Sequence, residues 1–249
     1  MPAYDFTGTR LFVEEALAGG ATIPLGKAQS HYLLQVMRLQ PGAELLVFNG
    51  RDGEWRARLE PAGKKAAALT AVAQTRPQPR PNDLHYLFAP LKHARLDYMV
   101  QKAVEMGASR LQPVLTRHTQ VTRVNLERMR ANAIEAAEQC GVLVVPEVGE
   151  PAPLSAALAT FAPDRVLIFC DERADVADPV AALAAARSAG PSPLAILIGP
   201  EGGFSPEERD ALLQLPRVVR LALGPRILRA DTAAVAALAL VQTVLGDWR

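Results

Sequence analysis

The sequence predicts an α/β protein, with a mostly parallel sheet covered by helices on both faces and a small β-barrel ahead of it. Three observations carry that prediction. Beyond residue 82, six apolar strand-like segments alternate with helical ones, the pattern of a parallel sheet whose crossovers are helices. The first 75 residues instead hold short alternating segments broken by glycine turns, as in small antiparallel structures. Between them, Arg76-Pro-Gln-Pro-Arg-Pro81 places three prolines in six residues, which neither a central strand nor a helix accommodates. The expected organisation is a barrel over 1–75, a linker over 76–82 and an α/β domain over 83–249.

In the N-terminal part the strand candidates are Arg10–Val13, Glu44–Phe48, Glu54–Leu59 and Ala66–Val72. They are separated by Gly19-Gly20, Pro41-Gly42, Asn49-Gly50 with Asp52-Gly53, and Pro61 to Gly63. One helix is expected over Ala28–Val36, where Leu33, Leu34 and Met37 share a face. Past the linker, strands are expected at Leu84–Ala89, Arg110–Leu115, Val142–Pro146, Arg165–Cys170, Leu194–Ile198 and Val218–Leu223. Helices are expected at Arg95–Met106, Leu126–Cys140, Pro153–Thr160, Val176–Ala189, Pro206–Leu215 and Asp231–Leu245. In such sheets ligands lie beyond the carboxyl ends of the strands.

Composition narrows the class. With 249 residues, 49% of them hydrophobic, and 27 basic against 26 acidic side chains, the chain can bury a core and is not a disordered polyelectrolyte. The longest weakly polar run, Thr232–Gly246, contains Gln242 and Thr243 and is too short to span a bilayer. Cys140 and Cys170 form no CxxC, and no basic stretch followed by an apolar one opens the chain, so a reducing cytoplasm is expected. His31, His85, His93 and His118 show no metal-ligand spacing, and no metal is expected. Charge is unevenly spread: residues 76–132 carry ten basic and four acidic side chains, residues 133–249 nine and fifteen. A basic middle segment suits a phosphate-contacting surface.

Two loops near the end carry the chemistry. The strand Leu194–Ile198 runs into Gly199-Pro-Glu-Gly-Gly203 and Phe204-Ser-Pro-Glu-Glu208, where Ser205, Pro206 and Glu208 form a helix start. No Lys-Ser or Lys-Thr follows, and GxGxxG spacing is absent, so phosphotransfer and nicotinamide chemistry lose support. The strand Val218–Leu223 runs into Gly224-Pro-Arg-Ile-Leu-Arg229, with Asp231 or Thr232 the expected cap of the last helix and Arg229 beside its free N–H groups.

Ile198-Gly-Pro-Glu-Gly-Gly-Phe204 paired with Leu223-Gly-Pro-Arg-Ile-Leu-Arg229 resembles the two signature loops of the bacterial small-subunit ribosomal RNA uridine-N3 methyltransferases, of the trefoil-knotted SPOUT superfamily. Arg10–Val13, His31–Arg38 with Pro41-Gly42, Gln101–Ser109 and Glu135–Gly141 resemble further family segments in the same order. The resemblance implies a PUA-like RNA-binding barrel, a knotted domain binding S-adenosylmethionine, and a homodimer that acts on 16S ribosomal RNA or the small ribosomal subunit. It places the cofactor against Leu197, Ile198, Gly199, Pro200, Glu201, Gly202, Gly203, Leu223, Gly224, Arg226, Ile227 and Leu228. The chain departs from the family at Val142, where Arg is usual, and at Ala230-Asp231, where Thr-Glu is usual, keeping a carboxylate but shortening it.

Uracil N3 carries a proton that must leave, so a base or a group stabilising the developing anion is needed. Glu201 and Asp231 are the candidate bases and orienting groups for Arg229, itself the candidate stabiliser. Arg38, Lys92, Arg95, Lys102, Arg117 and Arg123 are the candidate RNA contacts. Two other readings stay open: an RNA-binding assembly factor without methyl transfer, and methylation of transfer RNA or a ribose 2′-hydroxyl.

Overall fold

The computed structural model describes residues 8–63, 66–121, 123–175, 178–187, 190 and 192–248, apart from the side chain of His93. The chain forms two compact units. One comprises the chain through Arg80 together with Ala137–Val145; the other comprises Pro81–Ala136 and the chain from Pro146.

The first unit contains a five-stranded sheet of β1 (Arg10–Phe12), β2 (Thr22–Pro24), β3 (Glu44–Phe48), β4 (Glu54–Pro61) and β5 (Ala67–Arg76), ordered β1-β3-β4-β5-β2. β1 runs parallel to β3 and the other pairs are antiparallel. Leu11 from one edge strand and Ile23 from the other share a single core with Leu33, Val47, Leu59 and Leu69. β2 escapes the sequence pattern because it has three residues and only Ile23 buried. The expected helix is in fact α1 (Lys27–His31) followed by a π-helical turn, Tyr32–Val36. Glu54 is buried among three donors: Arg10 Nε at 2.9 Å, Arg76 Nε at 2.9 Å and Thr75 Oγ1 at 2.8 Å. Burial pushes its carboxyl up, but the hydrogen bonds from Arg76, Thr75 and Arg10 outweigh it and hold the group below its ordinary range.

The expected strand Val142–Pro146 is absent. Gly141 turns the chain at φ +64. Its carbonyl accepts both terminal nitrogens of Arg76 at 3.1 Å, and the Leu143 carbonyl accepts Gln78 Nε2 at 3.3 Å. Carbonyls bonded to side chains in this way do not build a ladder, and the strand of this region is instead β8 (Glu147–Val148).

The second unit is built on parallel strands β6 (Leu84–Phe88), β7 (Arg110–Leu115), β8, β10 (Val166–Cys170), β11 (Leu194–Ile198) and β12 (Val218–Leu221), ordered β12-β10-β11-β6-β7-β8, with β9 (Ala152–Pro153) beside β7. Every pair in it is parallel. All five residues of β11 are buried, as a strand covered on both faces requires. Helices α2 (His93–Glu105), α3 (Leu126–Cys140), α4 (Leu154–Ala159), α5 (Pro179–Ala185), α6 (Pro206–Leu213) and α7 (Ala230–Val244) complete the alternation. α5 is shorter than expected because Asp178 caps it, accepting the N–H groups of Val180 and Ala181, with Pro179 at its first position. Positions 176, 177, 188 and 189 of the expected helix lie outside the described residues. Buried Gln242 of α7 donates Nε2 to the Met106 carbonyl just past α2, at 2.6 Å, and so fastens the two helices.

His85 on β6 tests this packing. Burial and, after it, the charge of Arg165 lower its pKa from 6.5 to about 4, outweighing Asp83, which lies 3.4 Å away and raises it. As pH falls from about 6.5, the unfolded chain takes up this proton before the folded one does. The contribution is therefore complete above about 6.5 and is lost between about 6.5 and 4. His85→Gln should flatten the fall in urea midpoint between pH 7 and pH 5 relative to the parent; parallel profiles would show that His85 titrates normally.

Candidate active site

Adjacent parallel strands β10, β11 and β12 pair Phe169 with Leu197 and Cys170 with Leu221, so their carboxyl ends stop side by side. Three loops leave from there: residues 171–173, 199–205 and 222–229. They enclose a cavity of about 560 Å³, lined by Phe169, Ile198 and Leu221 from the strand ends and by Glu172, Glu201, Arg209 and Arg229 among the polar groups. That volume lies in the range of small-molecule sites.

The glycine loop is shaped by close approach. A Cβ on Gly199 would sit 2.5 Å from the ring of Phe204, which packs edge-on against Phe169 with centroids 5.2 Å apart. Gly203 has φ +69, donates its N–H to the Pro200 carbonyl at 2.9 Å and contacts His118 Nδ1 through its own carbonyl at 3.1 Å. The expected helix start is present: Ser205 Oγ accepts the Glu208 N–H at 3.2 Å while Glu208 Oε2 accepts the Ser205 N–H at 2.9 Å. The other carboxylate oxygen of Glu208 accepts the Arg117 N–H at 2.7 Å. In the second loop Gly224 has φ +90, with no atom within 4 Å of where a Cβ would be, so the backbone faces open space in the cavity wall.

The third loop carries no glycine or capping motif in the sequence. Asp171, 3% exposed, accepts Arg209 NH2 at 2.9 Å, Arg220 Nε at 3.0 Å and the Arg173 N–H at 3.0 Å. Burial raises its pKa, but these bonds, Arg209 foremost, hold the carboxyl below its ordinary value. The loop's sequence signal is an Asp directly after a buried apolar strand, in the same position as the glycine loop after β11 and the loop after β12. Cys170 also lines the wall, where burial pushes its thiol up to about 12, so at neutral pH it is a protonated, apolar-like group.

Of the residues placed at the cofactor, Ile198, Gly199, Pro200, Glu201, Gly203, Leu223, Gly224, Arg226, Ile227 and Leu228 line the cavity. Leu197 lies in the core instead, fully buried, and Gly202 sits against His118. The charged groups differ from the expected arrangement. Arg229 occupies the N-cap of α7, where Asp231 or Thr232 was expected, and Asp231 falls within the first turn. Arg229 is exposed at the cavity and, among the described residues, has no ion-pair partner. The carboxylates expected to orient it turn to Arg95 of α2: Nε donates to Asp231 Oδ2 at 3.0 Å, NH2 to Asp231 Oδ1 at 3.3 Å and NH1 to Glu201 Oε1 at 3.0 Å. The Arg95 hydrogen bond is the main cause that lowers the pKa of Asp231.

The expected RNA contacts therefore divide. Arg95 is committed to carboxylates, and Lys102 pairs with Glu105 at 2.6 Å and lies over the Tyr98 ring. Lys92, Arg117 and Arg123 are exposed in the second unit, and Arg38 is exposed in the first, with φ 54. Arg110 and Arg128 pair with Glu147 and Asp97, so part of the basic excess is neutralised internally. Among the described residues there is no cluster of three metal-ligating side chains, and no helix is long and apolar enough to cross a membrane.

Gly203 gives a direct test of the loop. A β-branched side chain strains badly at φ +69, and its Cβ would lie 3.2 Å from Glu172 Oε1. Gly203→Val should abolish S-adenosylmethionine binding in calorimetry while the protein stays folded by circular dichroism; unchanged affinity in folded protein would make the loop a turn and no more.

Comparison with known proteins agrees with this geometry. Residues 78–242 match the RNA methyltransferase domain family and residues 25–72 match the RNA methyltransferase PUA domain family. A ribosomal RNA small subunit methyltransferase E of Synechocystis is 33% identical, over 90% of this chain and 74% of the relative; one of Rickettsia conorii is 29% identical over 94% of each. The crystal structure of the Neisseria gonorrhoeae ribosomal RNA small subunit methyltransferase E bound to S-adenosylmethionine superposes with a TM-score of 0.85 at 26% identity, covering 97% of this chain and 100% of that one. A PUA domain ahead of an RNA methyltransferase domain, matched along nearly the whole length, identifies the chain as a member of the ribosomal RNA small subunit methyltransferase E family.

Proposed function

We propose that the protein methylates N3 of a uridine in 16S ribosomal RNA, with S-adenosylmethionine as donor. The observation that carries the reading is the cavity at the carboxyl ends of β10, β11 and β12, in a chain that superposes on an S-adenosylmethionine-bound relative over nearly its whole length. The residues present fit that cofactor: the wall is apolar at the strand ends, backbone-lined at Gly199, Gly203 and Gly224, and charged at its rim. Backbone atoms of Gly199–Gly203 and Leu223–Leu228 are the groups to hold it. When bound, the cofactor supplies a methyl group already activated by a sulfonium.

The protein's own residues must then position the acceptor and manage one proton. Arg229, a cation at the cavity with no ion-pair partner among the described residues, stabilises negative charge on the uracil as N3 loses its proton. Asp231 and Glu201 are the carboxylates at hand to receive it. Arg95 keeps Asp231 ionised, and so free to accept a proton, while making it a weaker base. In this reading residues 1–75 and the exposed Arg38, Lys92, Arg117 and Arg123 contact RNA, and 83–249 carry out the transfer. A trefoil-knotted SPOUT topology and a homodimer belong to the same reading and rest on the family resemblance, and a cytoplasmic location on the cysteine usage.

Even an exposed ion pair contributes only about 1 kcal/mol or less to stability, and exposed Arg229 has no such partner among the described residues, so a structural Arg229 is dispensable. Loss of one preorganised charge at the transition state costs roughly 100-fold to 1,000-fold in rate. Arg229→Ala should keep its fold and cofactor affinity and slow single-turnover methylation of small ribosomal subunits by that factor. A rate within about threefold of the parent returns Arg229 to a structural role.

A further inference from the structure

Two carboxylates from different elements converge on one guanidinium. Glu201 belongs to the glycine loop after β11 and Asp231 to the first turn of α7, and Arg95 of α2 bonds both at 3.0 Å. Without a cation between them these two negative groups would repel, and Arg95 offsets that repulsion while bonding both. The far end of α7 is already fastened near α2, through Gln242 and the Met106 carbonyl. Its start carries no side-chain cap. The glycine loop is also held by backbone bonding, by His118 at its Gly203 end, by Phe204 against Phe169 and by the Ser205–Glu208 capping box.

We propose that Arg95 is a positioning residue that ties the glycine loop to the start of α7, holding the two walls of the cavity in the arrangement that binds S-adenosylmethionine. The inference rests on the cofactor reading above and assigns Arg95 a place in it, instead of the RNA contact its basic segment suggested. Arg95 touches neither substrate nor cofactor in this role. Its planar fork serves both carboxylates at once, which a lysine ammonium on a single stem does poorly.

Hydrogen exchange on the full-length protein, read by mass spectrometry, tests the tie without requiring activity. In Arg95→Gln, exchange should quicken by about threefold or more in both the 199–204 and 229–234 segments. Arg95→Lys should fall between this variant and the parent. Calorimetry should show S-adenosylmethionine affinity reduced about tenfold in Arg95→Gln, and Arg95→Gln combined with Asp231→Asn should be no worse than the more damaging single change. Unchanged exchange in either segment overturns the proposal, as do additive effects of the two substitutions. A variant with parental exchange and cofactor affinity but weakened RNA binding also overturns it, making Arg95 an RNA contact. Parent protein that fails to bind S-adenosylmethionine contradicts the cofactor reading; the exchange measurement then still decides the tie.

Discussion

The parallel register of β10, β11 and β12 is the constraint on which the site depends. Because Cys170 stands beside Leu221 and Phe169 beside Leu197, three successive βα loops must emerge at one place, and their backbones must share a confined volume. The glycines stand where these loops turn sharply or pass close to a side chain. Gly199 yields to the Phe204 ring, Gly203 takes a left-handed conformation, and Gly224 leaves the wall open. The helices that follow are then started by devices suited to their tasks. Ser205 and Glu208 close a capping box for α6, whereas α7 begins without a side-chain cap, leaving its N-terminal dipole directed toward the cavity.

Electrostatics refines what the backbone establishes. An excess of basic residues in one stretch of sequence is not an excess at one surface: Arg95, Lys102, Arg110 and Arg128 all find carboxylates. Asp171 shows the complementary arrangement, a nearly buried anion shared by Arg209 and Arg220 that braces the third loop. The same solution appears in the first unit, where Arg10 and Arg76 surround Glu54. Removing one member of such a buried cluster leaves an uncompensated charge, at a typical cost of about 3–5 kcal/mol. Exposed cations such as Lys92, Arg117 and Arg229 face no such demand and are available for a ligand.

Much of this was legible in the sequence wherever information is local. Buried parallel strands appear as apolar runs, so β6, β7, β10 and β11 stand within a residue or so of expectation. Gly199–Gly203, Ser205 and Glu208 carry their turn and cap chemistry in their order. What escaped depends on partners distant in sequence. Nothing local says that the carbonyls of Gly141 and Leu143 accept Arg76 and Gln78, which removes the expected strand there. Nor does spacing say that Asp231 and Glu201 would meet Arg95, which lies 136 positions from Asp231 and 106 from Glu201, rather than neighbouring Arg229. Asp171 is an intermediate case: its place at a strand end was visible, its two arginines were not.

The central claim is that the cavity delivers a methyl group to a uracil nitrogen of small-subunit RNA. The most direct measurement incubates the protein with methyl-labelled S-adenosylmethionine and unmodified small ribosomal subunits, then separates the nucleosides by mass spectrometry. The account predicts label in 3-methyluridine from 16S RNA. Label on a ribose 2′-oxygen, label only in transfer RNA, or RNA binding with no transfer at all would contradict it.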